Sequence, residues 1–193
     1  MAETSTSQVG ERRSGRRGLL WPALLALTII LTVALQAVNT PLKTPAAPQG
    51  IVSYEFAGTT AAAQGILDSW DAGAKVNAGF SLGLDYLYMP VYALTIGLAC
   101  AWAAAVWRGR KLWLGSLGRA LAFGLGLAAL LDAVENYALT TMLFSAAADP
   151  WPAAAGWCAT GKFALIIAGL VYVLVGFVLW LMTRRSREAI STR

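Results

Sequence analysis

The chain has 193 residues, of which 58% are hydrophobic and only 13% charged, with a net charge of +5. Soluble domains carry about 25% charged residues, so a water-soluble fold would expose far more apolar surface than such folds tolerate. Histidine is absent and the two cysteines, Cys100 and Cys158, form no CxxC, which removes the commonest general base, a zinc site and a disulfide framework.

The positive charge does not point to nucleic acid. The Lys and Arg residues sit in the gaps between apolar runs, not on a basic stripe interleaved with aromatics. A basic tail, residues 1–18, carries Arg12, Arg13, Arg16 and Arg17. The first apolar run follows over about 19–38, with Pro22 in its first turn, where proline is tolerated. Its length and the further runs behind it predict a retained anchor over a cleaved leader. The other runs cover about 80–107, 117–144 and 154–182. Each reaches the roughly 20 residues that a hydrocarbon core of ~30 Å requires.

The predicted fold is therefore all-α: an integral membrane four-helix bundle over 19–182, with a short outer amphipathic helix and basic tails at 1–18 and 183–193. Orientation follows from charge. Twelve basic residues lie on one side, among them Arg108, Arg110, Lys111, Arg119, Arg184, Arg185, Arg187 and Arg193, against Lys43 and Lys75 on the other. The positive-inside rule places both termini and the short 108–116 loop in the cytoplasm; a plasma (inner) membrane is the expected location. Trp21, Trp107, Trp113, Trp151, Trp157 and Trp180 fall near span ends, as an aromatic belt does.

The outer loop, 39–79, opens on the Pro-rich TPLKTPAAP, an extended linker. IVSYEF alternates and reads as a short extended piece. Thr59 or Thr60 can then cap a helix whose Ala62, Ala63, Ile66, Leu67 and Trp70 share an apolar face. That helix is expected on the membrane surface or as a packed lid over the bundle.

Ionisable residues inside the spans are the candidate site: Asp85 in span two, Asp132 and Glu135 in span three, and Lys162 in span four. A rise of ~1.5 Å per residue places all four at overlapping levels, about 10–18 Å from the outer ends of their spans. Asp132, Glu135 and Asn136 share one helical face, as do Asp85, Tyr88 and Tyr92. Lys162, Gly169 and Gly176 recur every seven residues, and Gly118, Ala122 and Gly126 form a ridge, both suited to close backbone approach. Pro90 leaves the Tyr86 carbonyl without its helical donor, so a kink is expected there. Lys162 is expected to pair with Asp85 or Glu135. Three acids against one lysine leave a surplus that must be protonated or reach water or a cation.

FSLGLDYLYMPVYAL followed by LLDAVENYAL resembles small bacterial four-span membrane proteins of uncharacterised role, over spans two and three. The resemblance implies no activity. There is no DG-x2-AR pattern of a CDP-alcohol phosphotransferase and no cofactor motif. The expected role is binding or accessory, with the lipid bilayer, a second copy or a small ligand as partner. A proton- or cation-coupled carrier is the alternative. A membrane enzyme using paired carboxylates comes third, since no nucleophile accompanies them.

Overall fold

The structure, a computed structural model, describes the backbone of residues 4–107 and 111–191 and the side chains of 19–107 and 111–184. Arg108, Arg110 and Arg193 of the orientation argument lie outside the described residues, as do the side chains of Arg12, Arg13, Arg16, Arg17, Arg185 and Arg187. The order is α1 (Thr4–Asn39), a 3₁₀ turn (Thr40–Leu42), α2 (Ile51–Glu55), α3 (Thr60–Ser69), α4 (Ala72–Trp107), α5 (Leu112–Ser145) and α6 (Trp151–Ser191). Among the described residues the fold is all-helical, and four helices are long and apolar enough to cross a bilayer: residues Leu19–Leu42, Ala72–Trp107, Leu112–Ser145 and Trp151–Arg184.

Side-chain contacts fix the bundle's register. Thr32 meets Tyr88 while Trp21 meets Thr95, so α1 runs antiparallel to α4. Asn136 reaches Leu82 and Tyr92 reaches Asp132, so α5 returns along α4. Lys162 meets Asp132 and Tyr172 meets Leu114, so α6 reverses again and runs parallel to α4. Helix α4 is the hub, touching the other three long helices. Helix α1 is peripheral. Among its described side chains only Leu31 and Asn39 are buried, and Ile29, Ile30 and Val33 face outward. Polar groups hold it to α4. Thr28 Oγ1 and Thr95 Oγ1 lie 2.9 Å apart, and Trp21 Nε1 donates to the Thr95 carbonyl at 3.1 Å.

Small residues close the half of the bundle away from the 40–71 segment. A Cβ on Gly176 would come within 2.7 Å of Ala103 Cβ, and one on Gly169 within 3.0 Å of Leu125 Cδ2. Of the predicted ridge on span three, Gly118 packs under Tyr172, and the Ala122 carbonyl comes within 3.3 Å of the Cβ position of Gly97. Gly126 faces open space and takes no part. Helix α4 continues through Pro90 unbroken. The carbonyl that Asn136 engages is that of Leu82, not the Tyr86 carbonyl that proline strands.

The 40–71 segment folds down over the other end as a cap. Two expectations change there. IVSYEF is not extended: Ile51–Glu55 is a helical turn that drives Tyr54 and Glu55 inward. The loop is also shorter than 39–79, because Asp71 accepts a bond from Ala74 N at 2.7 Å and starts α4 at Ala72. Helix α3 begins where the sequence placed its cap, with Thr59 Oγ1 accepting from Ala62 N. Ala63, Ile66, Leu67 and Trp70 are buried against Tyr54, Leu139, Met142 and Ala155, so α3 is a packed lid rather than a helix lying on lipid. Ala62 is exposed and lies off that face.

Candidate functional site

Below the cap, α4, α5 and α6 bring their ionisable groups together. The centre is the Lys162 ammonium. It donates to Asp132 Oδ1 at 2.7 Å and to Glu135 Oε1 at 2.8 Å. The one-turn spacing of the two acids along α5 gives the ammonium two carboxylates from a single helix face. Asp132 uses its second oxygen to accept from the Tyr92 hydroxyl at 3.0 Å. Asn136, one residue past Glu135, divides its amide between the Leu82 carbonyl at 3.2 Å and Asp85 Oδ2 at 3.0 Å. Five of the seven predicted residues are thus sealed from solvent: Tyr92, Asp132, Glu135, Asn136 and Lys162. Asp85 is half-buried at the margin.

Of the two partners expected for Lys162, Glu135 is the one it takes; Asp132 joins it, and Asp85 is held by Asn136. Tyr88 is not among the charged groups. Its ring packs on Tyr92 with centroids 5.2 Å apart, while its hydroxyl accepts from Thr32 of α1.

A fourth acid joins from the cap. Glu55, at the end of α2, is 8% exposed and places Oε2 3.7 Å from Lys162 Nζ. Burial pushes its carboxyl above the ordinary glutamate range. The nearby Lys162 charge pulls it back in part, and Asp132 pushes it up again. Reading IVSYEF as a strand hid this residue. The signal present was its isolation, since Glu55 is the sole acid between Asn39 and Leu67 and sits in an apolar setting. The preceding residue, Tyr54, donates its hydroxyl to the Leu139 carbonyl at 3.2 Å and fixes α2 on α5.

The charge count is now four carboxyls to one ammonium. Four negative charges around a single positive one are unstable in so dry a site. Two carboxylate oxygens, Glu55 Oε2 and Glu135 Oε2, are buried with no hydrogen-bond donor among the described residues. Protons on these acids would reduce the charge. Among the described residues no group of His, Cys, Asp and Glu side chains is placed to hold a metal ion; the acids converge on an ammonium.

Fold and site together define a multi-pass helical membrane protein with a capped, charged interior. Comparison with protein-family models, with curated proteins and with solved structures finds no match for the chain.

Proposed function

We propose that this chain is a binding or accessory protein of a plasma membrane, with both termini cytoplasmic and the cap outside, and that the Lys162 cluster is a latch between cap and bundle. One observation carries the reading: a single buried ammonium is shared by α5 of the bundle and by Glu55 of the cap. The charge asymmetry of the sequence supports the orientation. Both segments that carry the resemblance to small bacterial four-span proteins contribute to the cluster, Asp85 from one and Asp132, Glu135 and Asn136 from the other.

Hydrogen exchange on the detergent-purified full chain tests it. Lys162→Met should raise exchange across residues 40–71 at least tenfold while the α4–α5 contact stays protected. Cap exchange that stays at the wild-type rate in a folded variant would sink the latch.

A second reading, a proton-coupled carrier, is favoured by the two undonated oxygens of Glu55 and Glu135. Acids within a span, as Glu135 is, recur on proton paths. It predicts proton uptake by proteoliposomes that Glu135→Gln abolishes with the cap still protected. Uptake indistinguishable from empty liposomes rejects it.

A further inference from the structure

Away from the cap, where the helices approach the arginine-rich end, a groove of about 710 Å³ opens over α4 between α1 and α6. Its floor is Leu98, Ala99 and Trp102 of α4, and its walls include Trp21 of α1 and Leu174 and Phe177 of α6. The volume is that of a ligand site, within the ~300–1,000 Å³ usual for small molecules. We propose that this groove holds one acyl chain of an anionic phospholipid, whose headgroup rests against the arginines at the same end of the bundle.

Three observations select that occupant. The first is length. On α6 the groove covers only 170–177, which is about 10 Å of helix. A partner transmembrane helix needs a seam approaching the full ~30 Å of the hydrocarbon core. The second is polarity. Every lining side chain is apolar apart from the indole N–H groups of Trp21 and Trp102, and Trp21 spends its N–H on the Thr95 carbonyl. The third is charge at the mouth. Trp180 packs edge-on to Trp102 and flat on Phe177, with centroids 6.1 and 5.8 Å away, and the Arg184 guanidinium carbon lies 5.6 Å from the Trp180 ring. A continuous path of contacts therefore leads from the groove floor to a fixed cation. In the sequence, Arg16 and Arg17 shortly precede Leu20 and Trp21 of the α1 wall. Arginine beside an aromatic at the end of an apolar trough suits a phosphate above a hydrocarbon chain.

The test is native mass spectrometry of the full-length protein taken from bilayers of phosphatidylglycerol mixed with phosphatidylcholine. The wild type should keep a phosphatidylglycerol through delipidation and lose phosphatidylcholine. Leu174→Trp fills the groove from a wall position that is 62% exposed, so the fold should tolerate it; retention should fall at least fivefold. Leu98→Trp should act likewise from the floor and serves if the first variant unfolds. Arg184→Gln should lower phosphatidylglycerol retention about fivefold, the effect of one basic contact at a membrane surface, and leave phosphatidylcholine unchanged. Equal retention of both lipids by the wild type overturns the proposal. So does wild-type retention in a folded filling variant, or a dimer that Leu174→Trp dissociates, which would place a second copy in the groove.

Discussion

The two halves of this bundle are joined in different ways. Toward the cap, the helices meet through charge and hydrogen bonds: Lys162 to Asp132 and Glu135, Tyr92 to Asp132, Asn136 to Asp85. Toward the arginine-rich end they meet through the near absence of side chains, with Gly169 and Gly176 against Cys100 and Ala103. Lipid tails are as apolar as leucine, so burial alone draws transmembrane helices together only weakly; polar contacts and close packing must supply the rest. In this chain the charged contacts fall in one half, while the other combines glycine packing with neutral hydrogen bonds such as Tyr172 to Leu114. The polar half specifies partners and angle, and the small-residue half specifies distance.

Substitutions can separate the two. Lys162→Met should have the largest effect, a loss of about 3–5 kcal/mol in detergent unfolding, because it strands buried carboxylates. Gly176→Leu attacks the other half. It should cost about 1–3 kcal/mol by overpacking against Ala103, and inter-helix distances by spin labelling should widen at that end alone. Thr59→Ala removes the α3 cap and should cost about 1 kcal/mol, read as a lower melting temperature with the α4–α5 contact intact. Thr28→Val tests the edge between α1 and α4 and should cost about 0.6 kcal/mol, the average for a polar contact between membrane helices.

Acidity sharpens the same contrast. Glu55 has its carboxyl raised in the fold, so the folded state binds its proton more tightly than the unfolded state does. Its share of stability is complete below the ordinary glutamate range and is lost as pH rises through the raised value. Lys162 of α6 and Asp132 and Glu135 of α5 act on that value, with Asp85 of α4 the next acid in the cluster. Thermal melting should therefore fall as pH climbs above the ordinary glutamate range. Glu55→Gln, which fixes the uncharged form, should flatten that fall. An unchanged slope would remove Glu55 from the latch.

The four long helices were readable because a bilayer demands long apolar runs, and the runs are unmistakable in the sequence. The meeting of Asp132, Glu135, Asn136 and Lys162 was readable too. Alternating spans put them at one depth, and helical spacing put the α5 trio on one face. What escaped has two physical causes. Lys162's choice of Asp132 over Asp85 depends on helix rotation, which hydropathy does not report. Glu55 lies in a segment of five helical residues, too short for periodicity to tell a helical turn from a strand.

The junction between α1 and the cap is stiff. Asn39, the last residue of α1, accepts from Ile51 N at 2.7 Å and donates to the Gln49 carbonyl at 3.1 Å. Gly50 between them has φ of +65°, and a Cβ there would collide with the Asn39 side chain. Glu55 lies one helical turn beyond Ile51. A tilt of α1 would therefore be carried, as by a lever arm, to Glu55, the cap acid whose carboxylate lies 3.7 Å from the Lys162 ammonium.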